Sequence, residues 1–362
     1  MAKKIIFASG GTGGHIFPAI NLMKHFSEKG YDITLVTDPK GNNFISDYSK
    51  FKSYIISTDT PTNKNFIRKI FSLFVILYSI IKSFFILKKE KPNLIIGFGG
   101  YVSFPISFAS RFFNYPLLVY EPNLILGRTN KYLLSKIKKL LVAFDEPINV
   151  PKKYRNLVHK VGPILKKNFI NCSTEKIKNN NNFSILILGG SQGAENLGKI
   201  IPPVIKTIKD KGFDIEINQQ CLKHQKSYLS DFYKKNNIKS NIFEFEKNIL
   251  DLLLATDLTI SRSGASTVGE LIYTRTPFIA IPYPYSTDNH QYLNAKYFSE
   301  KKYCWLIEES SLDNEILINL IHEILIDKSK LKSMKNNIDE SYRSNAYEEI
   351  ENIVKGIFKS EN

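Results

Sequence analysis

Lys4-Ile5-Ile6-Phe7-Ala8-Ser9-Gly10-Gly11-Thr12-Gly13-Gly14-His15 decides the fold class of this chain. An apolar run of strand length turns on four glycines and leads into helix-like sequence from Pro18 to Phe26. Glycines allow a tight turn, and the helix N-terminus beyond it bares backbone N–H groups to an anionic ligand. The same layout recurs at Gly97-Phe98-Gly99-Gly100, after Leu94-Ile95-Ile96. It returns at Gly189-Gly190-Ser191-Gln192-Gly193, after Ile185-Leu186-Ile187-Leu188. Three such turns, each capping a buried-looking strand, point to a chain built around a phosphorylated ligand.

The elements around these turns alternate. In residues 1–162 the pattern predicts strands at 3–9, 31–37, 93–97, 116–120 and 139–143. Helices are predicted at 16–29, 66–89, 102–112 and 127–136. After Val161-Gly162-Pro163 the pattern restarts, with strands at 184–188, 214–218, 241–245, 257–261, 277–282 and 304–308. Helices at 195–211, 223–235, 248–255, 266–274 and 289–300 separate them, and a last helix covers 346–359. Near-continuous Ile, Leu, Val and Phe strands alternating with helices signal parallel sheets covered on both faces. The fold class is therefore α/β, with two doubly wound, Rossmann-like domains that bind ligand at the C-terminal ends of their strands. The expected division is 1–162 and 163–345, and by pattern alone the last helix could pack on either half.

The 362 residues suit two domains of about 150–180 residues each. Three scattered cysteines, Cys172, Cys221 and Cys304, do not form a disulfide framework, and the N-terminal stretch does not read as a signal peptide. No His, Cys, Asp and Glu cluster has metal-ligand spacing, so neither metal nor cofactor is expected. The net charge of +16 is uneven: residues 1–162 carry 24 Lys and Arg against 9 Asp and Glu, the remainder 26 against 25. A basic half beside a neutral one suggests that one half meets an anionic surface. Nucleic acid is not the expected partner, because no recognition module accompanies the charge.

The run Ile67–Leu87 is nearly long enough to span a membrane, but Lys82 interrupts it and it occupies a crossover between two strands. A buried crossover helix, an interfacial helix and a true span are all compatible with it. In the interfacial reading Phe71, Phe74, Tyr78 and Phe85 meet lipid, and Arg68, Lys69, Lys82, Lys88, Lys89 and Lys91 suit an anionic leaflet.

Four stretches could carry chemistry. In the first turn Ile16 stands where a dinucleotide fingerprint needs its third glycine, although Asp38 could still serve a ribose. His15, at the loop-to-helix junction, is a candidate general base or a loop-bonding histidine. Arg262-Ser263-Gly264-Ala265-Ser266-Thr267 offers amides, hydroxyls and an arginine to a diphosphate. Glu270 could bind a ribose, or close a capping box with Thr267. Gln291 and Asn294 share one helix face and suit a neutral polyol.

Taken in order, Gly10–His15, Gly97–Ser103, Glu121 and Asn123 with Thr129 and Asn130, Gly189–Ala194, Ser261–Glu270 and Asp288–Ala295 resemble the motif series of the MurG family. These are bacterial N-acetylglucosaminyltransferases of peptidoglycan synthesis. The resemblance implies a glycosyltransferase-B architecture and an inverting transfer from UDP-N-acetylglucosamine to undecaprenyl-diphospho-muramoyl-pentapeptide. It places the work at the cytoplasmic face of the plasma membrane, with peripheral attachment through the N-terminal half, to which the last helix returns. Thr12, Gly13, Gly14 and Asn123 would then lie near the donor. Ser191 would hold phosphate, the backbone at Glu246 would read uracil, and Ala265, Ser266 and Thr267 would wrap phosphate and sugar. Glu270 would bind ribose and Gln291 the sugar hydroxyls, while His15 or Glu121 would deprotonate the acceptor. Tyr120, Pro122 and Leu165 depart from the family pattern. Rival readings are a related glycosyltransferase acting on a membrane diacylglycerol, and a non-catalytic protein that binds nucleotide sugar.

Overall fold

The computed structural model describes residues 2–11, 13–44, 51–60, 65–145, 147–172, 182–190, 195–338 and 340–360. The chain divides into one unit of Met1–Lys166 with Ser344–Asn362, and a second of Lys167–Arg343. The division falls at Lys166, a few residues beyond the expected 162, because the chain stays tied to the first unit past Gly162. Tyr120 Oη donates to Gly162 O and accepts from the Ile164 N–H, and Tyr347 Oη donates to Leu165 O. The last helix, Ala346–Ser360, belongs to the first unit, burying Tyr347, Ile350, Val354 and Phe358.

Among the described residues the first unit carries a seven-stranded parallel sheet. Its strands are β1 (Lys4–Ala8), β2 (Asp32–Thr37), β3 (Lys52–Ile55), β4 (Leu94–Gly97), β5 (Leu117–Glu121), β6 (Lys139–Val142) and β7 (Val158–Lys160). They are ordered β3-β2-β1-β4-β5-β6-β7. The second unit carries β8 (Phe183–Leu188), β9 (Ile215–Gln220), β10 (Lys239–Phe243), β11 (Leu258–Ser261), β12 (Phe278–Ala280) and β13 (Cys304–Leu306). Their order is β10-β9-β8-β11-β12-β13, again all parallel. The strand order reverses between β1 and β4 in one sheet and between β8 and β11 in the other. Such switch points splay the loops apart and open a crevice at the carboxyl ends of the strands.

Three features differ from the expectation. The helix expected at 16–29 begins at Gly13, so His15 sits in its first turn. The edge strand β3 has no apolar run, since one face is open, and period-2 alternation does not reveal it. Between 309 and 345, where no element is expected, lie the helices Asn314–Ile326 and Ser329–Asn337. The Asn-rich 171–182 loop falls mostly outside the described residues.

The helix Phe66–Glu90 settles which crossover this is. By length and composition it could cross a membrane. Its inward face, however, is pinned by serines. Ser72 Oγ donates to Asp59 Oδ2 at 2.8 Å, Ser79 Oγ to Ser57 O, and Lys82 Nζ reaches Ile55 O at 2.8 Å. Both the span and the fully buried crossover fail on this, because the opposite face is open and apolar. Phe71, Phe74, Tyr78 and Phe85 are 66%, 66%, 62% and 63% exposed.

The end of that helix is locked into the sheet by Glu90, whose residue is 4% exposed. Its carboxylate accepts Lys4 Nζ at 2.7 Å and Tyr54 Oη at 2.5 Å, and pairs with Lys52. Burial pushes the carboxyl up, but these hydrogen bonds outweigh it and hold it down at about 2. A depressed pKa contributes stability above the unfolded value and loses it as pH falls toward the folded one. Glu90→Gln is expected to cost about 1–3 kcal/mol at pH 7 in urea titration. Its gap from the parent should close between the ordinary carboxylate value of 4.5 and about 2.

Candidate active site

In the first unit, two of the glycine turns meet at the β1/β4 switch point. Gly11 takes φ +77°, and its N–H donates to Asp38 Oδ1 at 2.9 Å, an oxygen that also accepts the Gly41 N–H at 2.8 Å. Asp38 is therefore a buried anchor of the turn, and the ribose role considered for it is not supported. A Cβ on Gly10 would come within 2.5 Å of that same oxygen, so the turn closes only on glycine. Gly99 and Gly100 take φ +76° and +70°. A Cβ on Gly100 would lie 3.5 Å from His15 Cδ2 and 3.8 Å from Nε2, so the imidazole rests against bare backbone. Gly13 and Gly14 fall in the first turn of the same helix, and Thr12 lies outside the described residues.

Beside them, the end of β5 carries Glu121, 2% exposed. Oε2 accepts the Gly127 N–H at 2.8 Å and Asn130 Nδ2 at 2.9 Å. Oε1 accepts the Asn123 N–H at 3.2 Å and Asn123 Nδ2 at 3.3 Å. Burial pushes the carboxyl up, and the donors from Gly127, Asn123 and Asn130 partly offset this. Four donors on one carboxylate fold the 121–130 loop around it and aim Asn123. Asn130 in turn crowds Gly99, where a Cβ would stand 3.1 Å from its Nδ2.

In the second unit, the third glycine turn follows β8 and the small-residue turn follows β11, again flanking the switch point. Gly190 takes φ +82°, and Ser191 lies outside the described residues. The helix Ala265–Tyr273 is capped by Gly264 with no side-chain cap bond, so the amides of Ala265, Ser266 and Thr267 form its open first turn. Because Gly264 is the cap, Thr267 lies inside the helix. A capping box with Glu270 is thereby ruled out, and Glu270 sits one turn deeper. Ser266 Oγ is buried without a hydrogen-bond partner among the described residues.

Two expected donor-binding residues are placed otherwise. Arg262 is 5% exposed, and its Nη1 donates to Ile281 O at 3.2 Å and Pro282 O at 3.1 Å. It also pairs with Glu309 and stacks on Tyr283. Its charge is neutralised inside the unit instead of facing a diphosphate. Asn294 is fully buried, with Nδ2 on Ser263 O at 3.1 Å, so it braces the turn. Gln291 is half-buried, and its Oε1 accepts the Tyr283 N–H at 3.0 Å. The preceding Asp288 and Asn289 both take left-handed φ, 52° and 55°, conformations that cost energy outside glycine. Glu246 follows β10, toward the sheet's outer edge, and its Oε1 accepts the Asn248 N–H at 2.7 Å. Glu309 carries no signal of its role in the sequence, since the turn it neutralises is distant along the chain.

Residues 5–142 match the glycosyltransferase family 28 N-terminal domain and residues 184–351 its C-terminal domain. The protein of Pelagibacter ubique (strain HTCC1062) named UDP-N-acetylglucosamine--N-acetylmuramyl-(pentapeptide) pyrophosphoryl-undecaprenol N-acetylglucosamine transferase is 32% identical, over 97% of each chain. The Wolbachia pipientis wMel protein of the same name is 34% identical, over 97% of this chain and 98% of its own. The crystal structure of Acinetobacter baumannii MurG superposes with a TM-score of 0.79 at 25% identity, covering 98% of this chain and 99% of that one. The chain belongs to the MurG family. Its two units are those of a glycosyltransferase-B enzyme.

The MurG departures now have physical places. Tyr120 is 2% exposed and ties β5 to residues 162–164, while Leu165 is 6% exposed and bonded through its carbonyl to the last helix. Pro122 is buried in the loop that Glu121 organises. Glu121→Gln would set an amide donor against the donors of that loop, costing about 1–3 kcal/mol in urea titration. An unchanged unfolding midpoint would remove Glu121 from this anchoring role.

Proposed function

We propose that the chain transfers N-acetylglucosamine from UDP-N-acetylglucosamine to the 4-hydroxyl of undecaprenyl-diphospho-muramoyl-pentapeptide, with inversion and release of UDP. The observation that carries this reading is 32–34% identity, over 97% of this chain, to transferases of that name, with the family's motifs at both switch points. In this reading His15 takes the acceptor proton: a histidine held against glycine backbone leaves room for a hydroxyl beside its ring. Glu121 is the weaker base, because its four hydrogen bonds commit it to positioning Asn123 toward the donor. Gly13 and Gly14 lie in the first turn of the same helix, and Thr12 is assigned with them to the donor.

As UDP departs, negative charge grows on the β-phosphate. The open amides at Ala265, Ser266 and Thr267 are oriented to receive it, and Ser191 is assigned the same task. Oriented donors take the part a divalent cation plays elsewhere, and no cofactor enters the reading. Glu270 holds the ribose, the backbone at Glu246 the uracil, and the Gln291 amide a sugar hydroxyl. Arg262 and Asn294 have no direct contact with donor in this scheme.

UDP release should appear when UDP-N-acetylglucosamine and the muramyl-pentapeptide lipid are supplied together, and not when diacylglycerol replaces the lipid. Release with diacylglycerol alone would assign the enzyme to another acceptor, and donor binding without release would make it a non-catalytic binder. His15→Ala should lower kcat by about 10²–10⁴-fold with little change in donor affinity; near-normal turnover would pass the base role to another group.

We further propose peripheral attachment to the cytoplasmic face of the plasma membrane through the open face of Phe66–Glu90. Phe71, Phe74, Tyr78 and Phe85 supply the apolar contact, and exposed Arg68, Lys69, Lys88, Lys89 and Lys91 meet anionic headgroups, while Lys82 is held on Ile55 O. In co-sedimentation with anionic vesicles, Phe71→Glu with Phe74→Glu should abolish binding, while UDP affinity holds. Retained sedimentation would locate the contact elsewhere.

A further inference from the structure

The Pro282–Tyr283 peptide of the second unit is held on both edges. Its carbonyl accepts Arg262 Nη1 at 3.1 Å, and its N–H donates to Gln291 Oε1 at 3.0 Å. Arg262 adds a second bond, to the preceding carbonyl of Ile281 at 3.2 Å, and its guanidinium lies 5.4 Å from the centre of the Tyr283 ring. The Glu309 carboxylate neutralises it. The helix bearing Gln291 is gripped by the same turn: Ser263 Oγ donates to Gln291 O at 2.8 Å, and Asn294 Nδ2 to Ser263 O at 3.1 Å.

We propose that Arg262 is a positioning residue for the donor sugar: by fixing the Pro282–Tyr283 peptide, it fixes which end of the Gln291 amide faces the substrate. This rests on the reading that Gln291 meets the sugar. With one Oε1 lone pair committed to the Tyr283 N–H, the oxygen is held toward that peptide and the Nε2 hydrogens are turned away from it. Nε2 lies toward Gly264, where a Cβ would stand 4.0 Å away, so the donor end faces the start of the open helix turn. Flipping the amide would set Nε2 against the Tyr283 N–H, two donors face to face, and leave both unsatisfied. The flip is blocked only while that N–H points at Gln291, and Arg262 Nη1, bonded to two successive carbonyls, keeps it pointing there. A lysine keeps the charge but loses the rigid planar head that fixes Nη1 between those carbonyls and lies over the Tyr283 ring. An amide held with its donor end toward the substrate selects a sugar hydroxyl by the position of its lone pairs, so the quantity at stake is epimer discrimination.

The full-length Arg262→Lys, Gln291→Ala and double variants are to be compared on UDP-N-acetylglucosamine and its C4 epimer, UDP-N-acetylgalactosamine. The Kd of UDP itself is to be measured by calorimetry. Arg262→Lys is expected to lower the ratio of kcat/KM between the two donors by about tenfold, and to shift the UDP Kd by less than about twofold. In the Gln291→Ala background it should lower the ratio no further. A fall in UDP affinity equal to the fall with the sugar nucleotide would overturn the proposal and make Arg262 a diphosphate ligand. An unchanged ratio in Arg262→Lys, with a lowered one in Gln291→Ala, would overturn it while sparing the sugar-reading role of Gln291. An unchanged ratio in Gln291→Ala would remove that role and the proposal with it. If Arg262→Lys does not fold, Tyr283→Ala loosens the same peptide by removing the stacked ring. The same loss of discrimination supports the proposal there, and an unchanged ratio overturns it.

Discussion

Everything at the two candidate half-sites depends on one constraint of parallel sheets: neighbouring strands must be joined by crossovers, and where winding reverses, the loops part. β1 and β4 part in one sheet, β8 and β11 in the other. At each gap a backbone must turn sharply within reach of a ligand, which is why residues 10, 11, 99, 100 and 190 are glycines. At Gly10 the need is steric, since Asp38 fills the space a side chain would take. At Gly11, Gly99, Gly100 and Gly190 it is conformational, with φ between 70° and 82°.

Buried charge in this molecule mainly positions. Asp38 ties the first turn, Glu121 folds the loop that carries Asn123, and Glu90 welds the crossover helix to the sheet. Arg262 braces the backbone beside Gln291. In each case a group that composition marks as reactive is hydrogen-bonded by the protein itself. What remains open toward substrate are backbone amides and small polar side chains. That arrangement suits a reaction whose leaving group is already activated, because it calls for orientation and charge stabilisation more than for a strong acid or base.

The helix Phe66–Glu90 shows the same logic at the surface. Its serines face inward and its aromatics outward, the reverse of an ordinary surface helix. The inward serines satisfy the 57–60 segment, and the outward face is left as a contact surface of the basic unit. Hydropathy shows an apolar run in either case; the side on which it is buried depends on what the serines find to bond.

The sequence alone determined that there are two doubly wound halves, where each sheet turns on glycine, and which family the motifs resemble, because these follow from local patterns of period and spacing. It could not determine the edge strand β3 or the helices of 314–337, where pattern is weak. Nor could it give the hydrogen-bond partners of Arg262 and Glu121. For Arg262 the partners, Glu309 and Ile281, are distant in the chain; for Glu121 they lie within nine residues, and only the folded loop turns them onto its carboxylate. Only tertiary structure brings such partners within hydrogen-bond distance, and that distance decides whether a charged group is available to a substrate or already used by the fold.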